Sequence, residues 1–476
     1  MDGHVVHAFG DDALGDADAV TLAKQVRSGQ VSPAELASAS AARARQVDPQ
    51  LDAVALSLYD QPRFAGHEAG ALYGVPTFVK DNTDLRGLPT NHGSEAFTAR
   101  PAKRDGAFAT QFLSTGVTVL GKSRMPEFGF NASTEFQTGP PARNPWHTDF
   151  SVGASSGGSA ALVAAGVVPL AHANDGGGSI RIPAACAGLV GLKPTRGRHR
   201  DGDQASHLPL NIISEGVVTR TVRDTAAYVA AAEDYWRNPS LPPIGQVDGP
   251  SNRRLRIGLV LDTVNDAPVD QPTREVVERV AALLEQAGHV IEPFTMPFTQ
   301  QFAADFTQYW GLMADLAVST GKLVLDRSFD AAGNDGLTRG LRALHRRGLR
   351  RTPGALWRLR RVADMYASMF GRYELLLSPT LAHTTPRIGE LSPTVDFDEL
   401  MHRLETYVSF TPLNNVAGSP AIAVPAGVTT DGLPLSVHFS AAHGDERTLL
   451  EIAYTVEAAL PFASITSPSA SRSKAS

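Results

Sequence analysis

The alternation of apolar and polar positions divides the chain into short buried runs separated by amphipathic segments. Val75 to Val79 and Val117 to Leu120 are continuous apolar runs of strand length, and Thr110 to Thr115 reads as the helix leading into the second. Residues 18 to 47 predict two helices. The second opens on Ser32-Pro33-Ala34-Glu35, a capping box with proline at the first helical position, and its Ala-rich body is expected to end near Val47-Asp48-Pro49. A Pro/Gly-rich linker, Pro239 to Pro250, precedes a strand from Leu255 to Leu261 and an amphipathic helix from Thr273 to Ala287. Leu375 to Leu377 and Ala421 to Val424 return as core strands. Strands alternating with helices predict an α/β fold whose sheet is covered on its faces.

Composition narrows the class. With 476 residues, 42% apolar and 19% charged, the chain can bury a large core, and no internal repeat divides it. A net charge of −6 leaves no overall basic footprint for nucleic acid. The N-terminal residues are acidic with no apolar stretch behind them, and the longest small-apolar run, Ala160 to Ala171, is too short to span a bilayer. A single cysteine, Cys186, permits no internal disulfide and fits a reducing compartment. A cytoplasmic protein with no membrane attachment is expected. One stretch stands apart: Arg339, Arg342, Arg346, Arg347, Arg350, Arg351, Arg358, Arg360 and Arg361 crowd a helical segment. It reads as a solvated or interfacial helix face in an otherwise acidic protein, against the alternative of an anionic partner or membrane surface.

Chemistry concentrates between residues 150 and 200. Gly153-Ala154-Ser155-Ser156-Gly157-Gly158-Ser159 precedes an Ala-rich helix beginning near Ser159, and Asp175-Gly176-Gly177-Gly178-Ser179 sets three glycines before a serine. Consecutive glycines let successive N–H groups converge on one point, the geometry an oxyanion hole requires. Phosphate cradling is the first rival, but no lysine follows either glycine run closely enough to reach a phosphate. The second rival is a nucleophile elbow, since residues 153–157 satisfy G-x-S-x-G with His438 and His443 late in the chain. That elbow needs a strand running straight into Ser155, whereas Asn144 to Phe150 is turn-like and polar. Lys80 ends the apolar run Val75 to Val79. A lysine there ordinarily reaches the surface; if buried, desolvation favours its neutral amine and makes it a base near pH 7.

Together these residues resemble the amidase signature family. Val75-Pro76-Thr77-Phe78-Val79-Lys80-Asp81-Asn82, the Ser155 cluster, and Asn174-Asp175-Gly176-Gly177-Gly178-Ser179-Ile180-Arg181-Ile182-Pro183-Ala184 carry the likeness. Ser32-Pro33, Arg143-Asn144-Pro145-Trp146, Gly191 to Gly197, Leu377 to Thr380 and Gly418 to Pro425 extend it over most of the chain. The resemblance implies a mixed central β-sheet covered by α-helices on both sides, as one domain over residues 1–470. Within it, about 225–370 would be a variable, helix-rich substrate entrance; residues 464–476, rich in serine, read as a disordered tail. By the same resemblance Lys80 is the base, Ser155 a bridging serine held in a cis peptide, and Ser179 the nucleophile. The N–H groups of Gly176, Gly177, Gly178 and Ser179 would form the oxyanion hole, and Gly129 would offer its carbonyl to the substrate. Asp175 and Arg181 are expected to support the glycine loop.

The implied activity is hydrolysis of carboxylic amides, or esters, through an acyl-enzyme. Ala154 departs from the family's usual glycine and Asn174 from its usual threonine. Ile182 stands where glutaminase subunits of amidotransferases carry glutamine, which argues against that role. His172 with Asn174 is locally similar to a branch containing cyclic-oligoamide hydrolases. Cys186 reads as a small packing residue, and surface or strand-end positions account for His438 and His443. No cluster has metal-ligand spacing, so neither metal nor other cofactor is expected. The expected partner is a small amide, with a homodimer as the candidate assembly; an amidotransferase subunit or a silent binding protein on the same fold are the alternative functions.

Overall fold

The computed structural model describes residues 4–203, 205 and 208–466. Its strands are β1 (Val54–Ser57), β2 (Pro76–Lys80), β3 (Thr118–Ser123), β4 (Arg143–Asn144), β5 (His147–Ser151), β6 (Leu170–Asp175) and β7 (Val190–Lys193). They continue as β8 (Ser214–Thr219), β9 (Arg256–Leu259), β10 (Val290–Pro293), β11 (Leu375–Pro379), β12 (Ala421–Val428) and β13 (Pro434–Ala441). The main sheet has the order β10-β9-β11-β13-β12-β7-β8-β6. Its first three strands run parallel and the remaining pairs antiparallel, so the sheet is mixed as expected.

Both faces are covered because side chains alternate along the strands. Along β12, Ile422 and Val424 pack in one core with the helices Val222–Tyr235, Gln271–Gln286 and Glu446–Ala459. Ala423 faces the other core, built on the helices Gly157–Ala164 and Arg181–Ala187. The first of these is buried along its whole length. Its small residues follow from crowding: a Cβ at Gly158 would lie 2.6 Å from Ala53 O and from the backbone of Arg124.

A second sheet, ordered β1-β3-β2, places β2 beside β6 without a ladder between them. Thr77 Oγ1 donates to Leu170 O (3.1 Å) and the Lys80 N–H donates to His172 Nδ1 (3.2 Å). The end of β2 and the end of β6 thus meet at a seam, and that seam holds the site.

The capping box forms as read, with Ser32 and Glu35 exchanging hydrogen bonds. The helix then runs Pro33–Leu51, past the expected stop at Pro49. Pro49 falls in the last turn, where its missing N–H costs a single bond, and Asp52 ends the helix in the left-handed region (φ 48°). The helix ahead of β3 starts earlier than read, at Ala107, and the Gly/Ser helix starts at Gly157. Most of the predicted tail, residues 467–476, lies outside the described residues.

Most of the arginine-rich stretch is solvent-exposed, in keeping with a solvated helical face, and part of it also pairs with nearby acids. Arg342, Arg346 and His345 converge on Asp315, and Arg358 binds Asp305. Both carboxylates belong to the helix Gln300–Val324, so these cations neutralise acids of their own region. Among the described residues no helix is long and apolar enough to cross a membrane.

Candidate active site

Lys80, the last residue of β2, is fully buried. Burial lowers its pKa from 10.5 to about 7, against the opposing pull of Glu215 and Asp175. Its Nζ lies 2.6 Å from Ser155 Oγ, 2.7 Å from Asn174 Oδ1 and 3.0 Å from Ser156 Oγ. The Asn174 oxygen can only accept. Ser156 spends its own proton on the Asn174 carbonyl (3.3 Å), so toward Lys80 it also accepts. A neutral amine has two N–H groups and one lone pair, which leaves the lone pair for the Ser155 hydroxyl. Ser155 is therefore the one partner from which Lys80 can take a proton.

Behind this trio stands a second layer. His172 accepts from the Lys80 N–H at Nδ1, so its Nε2 carries the proton and donates it to Glu215 Oε2 (3.0 Å). Burial lowers the His172 pKa and keeps the ring neutral. Glu215 Oε1 also accepts from Asn174 Nδ2 (3.4 Å), which orients the amide that holds Lys80. Nothing local in the sequence marks Glu215; it arrives because β8 pairs antiparallel with β6 in the register Asn174↔Glu215.

The glycine loop is wrapped around the Asp175 carboxylate. Asp175 accepts from the N–H groups of Gly178 (2.7 Å) and Ile180 (3.2 Å), from Arg181 Nε (2.9 Å) and Nη2 (3.0 Å), and from Asn415 Nδ2 (2.8 Å). Burial alone would raise its pKa, but the Arg181 guanidinium outweighs burial and holds the carboxyl well below the usual range. Arg181 is itself fully buried and reaches Thr411 O, Asn414 Oδ1, Asn415 Oδ1 and His438 Nε2. Arg181→Ala leaves Asp175 buried and unpaired, so we expect a loss of about 3–5 kcal/mol in unfolding free energy, read from the denaturant midpoint. A loss below about 1 kcal/mol would mean the asparagines hold the loop without the ion pair.

This packing corrects one expectation. The Gly178 N–H is donated to Asp175 and does not face the site. Gly178 instead serves the turn: its φ is +139°, and a Cβ there would come within 2.4 Å of Thr411 Oγ1. The N–H groups of Gly176, Gly177 and Ser179 donate to no protein acceptor among the described residues.

Ser155 and Ser179 line one cavity together with Gly129, Gly176 and Gly177. No hydrogen bond joins Ser155 Oγ to Ser179 Oγ among the described residues. Gly129 has φ +73°, and a Cβ there would stand 3.2 Å from Ser155 Oγ. The expected cis peptide before Ser155 is not found, since every described peptide bond is trans. Ala154 is buried, and the trans linkage already puts Ser155 Oγ on Lys80. Cys186 is buried against Tyr407 Oη (3.2 Å) as a packing residue, its thiol pushed up by burial. His438 is not at the surface. It sits buried in β13, takes a hydrogen bond from Arg181 and contacts Ser378 Oγ through Nδ1 (3.1 Å), which removes it as the partner an elbow at Ser155 would need. Among the described residues no group of three His, Cys, Asp or Glu side chains is arranged to hold a metal ion.

The chain belongs to the amidase family, whose model matches residues 35–450. It is 48% identical over 463 residues to the putative amidase AmiC of Mycobacterium leprae, covering 97% of this chain and 98% of that relative. The 6-aminohexanoate-cyclic-dimer hydrolase of Paenarthrobacter ureafaciens is 32% identical over 475 residues, covering 94% and 95% of the two chains. The solved structure of 6-aminohexanoate cyclic dimer hydrolase matches with a TM-score of 0.82 at 29% identity, over 95% of this chain and 98% of that one. The protein is an amide-hydrolysing enzyme on the α/β fold of this family.

Proposed function

We propose that the enzyme cleaves carboxylic amides through an acyl-enzyme on Ser179, with Ser155 as proton relay and Lys80 as base. The observation that carries this reading is the buried Lys80 amine, whose lone pair has the Ser155 hydroxyl as its single proton source. Lys80 takes the Ser155 proton as Ser155 takes that of Ser179, and Ser179 Oγ bonds to the substrate carbonyl carbon. Charge developing on the carbonyl oxygen is met by the free N–H groups of Gly176, Gly177 and Ser179. The protons then return through Ser155 to the leaving amine as the C–N bond breaks. Water enters by the same relay, bonds to the acyl carbon and releases the acid. Ser155 and Ser179 acquire their mutual hydrogen bond when the substrate occupies the cavity they share.

Two further features support an acyl-transfer site. Ile182 lines the cavity, so its wall lacks the polar amide that a glutamine-specific pocket would use at this position. A buried, near-neutral lysine also costs stability that a purely binding protein has no reason to retain. The test is intact-mass analysis after treatment with a fluorophosphonate. A single adduct that maps to Ser179, vanishes in Ser179→Ala and forms slowly in Lys80→Ala is the expected result. An adduct on Ser155 would sink the assignment of the nucleophile, and no adduct would overturn the acyl-enzyme route.

A further inference from the structure

The cavity that contains Ser179 has a large apolar and aromatic wall, with Asn131, Asn265, Thr307, Glu405 and Ser409 among its polar lining. The helix Gln300–Val324 turns Phe302, Phe306, Trp310 and Met313 into it, and Phe130 and Val408 also line it. Among the described residues one formally charged side chain lines it, Glu405. The same residue, with Asn265, Ala303 and Thr307, also lines an outer cavity, so these four stand at the border of the two. Glu405 therefore stands where a substrate lying on the apolar wall meets water.

Its carboxylate is available. Oε1 accepts from Thr307 Oγ1 (2.8 Å), and the Glu405 main-chain carbonyl accepts from Asn265 Nδ2 (2.7 Å), which fixes the backbone there. No cation pairs with the Glu405 carboxylate among the described residues, whereas Asp305 and Asp315 on the neighbouring helix are both taken by arginines. The outer cavity is mixed in charge: Arg347, Arg351 and His402 line it, as do Asp266 and Glu405. The arginines do not line the inner cavity, so among the described residues the charge that borders it is negative.

We propose that Glu405 is a specificity residue that favours amides bearing an ammonium group at the far end of an apolar acyl chain. This rests on the reading of Ser179 as the acylated group, which sets the inner end of that chain. The inner cavity has a volume of about 170 Å³. A cavity of about 150 Å³ takes a benzene ring, so the spacer is a ring or a chain of comparable bulk. The ammonium then replaces solvent at Glu405 while the chain covers the aromatic wall.

The test compares three 4-nitroanilides of matched length, those of hexanoic, 5-aminopentanoic and glutaric acid, in the wild-type enzyme and in Glu405→Gln. Glutamine keeps an acceptor for Thr307 and removes the charge. The kcat/KM ratio of aminopentanoyl to hexanoyl substrate should fall about fivefold in the variant, the scale of one partly exposed charge contact. The glutaryl to hexanoyl ratio should rise over the same comparison. Equal changes in all three, or unmoved ratios, would overturn the proposal, as would a wild-type preference for the glutaryl substrate, which would hand recognition to Arg347 and Arg351. Protection of fluorophosphonate labelling by hexylamine relative to hexanol reads the same contact without turnover, and Glu405→Gln should remove it. Hydrolysis surviving in Ser179→Ala would instead discredit the nucleophile while leaving the Glu405 ratios meaningful.

Discussion

Ser179→Ala should lower kcat by about 10⁴-fold or more while leaving the melting temperature unchanged. The two halves of this expectation come from different observations. The Ser179 hydroxyl makes no hydrogen bond to protein among the described residues, so removing it leaves no buried partner unsatisfied. The N–H groups at Gly176, Gly177 and Ser179 persist in the variant, because the loop is held by Asp175 and Arg181. What is lost is the covalent step alone, and the residual rate is what oxyanion binding supplies. Steady-state kinetics on any turned-over anilide, paired with a thermal melt, checks both halves. A loss under about tenfold would remove Ser179 as nucleophile, and a large drop in melting temperature would make the side chain structural.

The second large effect is on Lys80 and on pH. Only the neutral amine can accept the Ser155 proton, and burial sets the Lys80 pKa at about 7. The rate constant kcat/KM should therefore rise about tenfold per pH unit below 7 and level off above it. Lys80→Ala should lose about 10³-fold at pH 8 and flatten the profile, since general-base contributions are typically of this order. Lys193 provides the control. It too is buried with a pKa lowered to about 7, but its Nζ donates to Pro194 O (2.8 Å) and Ser214 Oγ (3.2 Å). Lys193→Met should keep the ascending limb, whereas a limb that moved with Lys193 would reassign the base.

Much of the inner site was legible because its residues are near one another in sequence or sit in runs with local meaning. The apolar run before Lys80, the glycine pairings around Ser155 and Ser179, and the capping box at Ser32 all express constraints within a few residues. Glu215, Thr411, Asn415 and His438 were not legible as site residues. Each reaches His172 or Arg181 only after strands or helices distant in sequence pack together, and a glutamate or histidine in an ordinary strand carries no mark of its eventual neighbour. Gly178 was misread for a related reason. Three consecutive glycines announce an unusual loop, but which N–H turns inward is decided by Asp175 and by the room left beside Thr411. The aromatic wall came from a region with no local motif, and only the packing of Gln300–Val324 over the sheet assigns Phe302, Phe306 and Trp310 to the cavity.

The path of the chain between β10 and β11 has a practical consequence. It leaves the main sheet with the Phe294 N–H on Leu259 O (2.8 Å) and returns with the Glu374 N–H on Arg256 O (2.9 Å), both carbonyls belonging to β9. The segment from 294 to 374 thus begins and ends on the two sides of one short strand, and the helix Gln300–Val324 has countercharges for Asp315 and Asp305 in Arg342, Arg346 and Arg358. Such a segment is a cassette. Exchanging it between related enzymes at these two anchor points would import a new aromatic wall complete with its internal ion pairs, while Lys80, Ser155 and Ser179 stay on elements the exchange never touches.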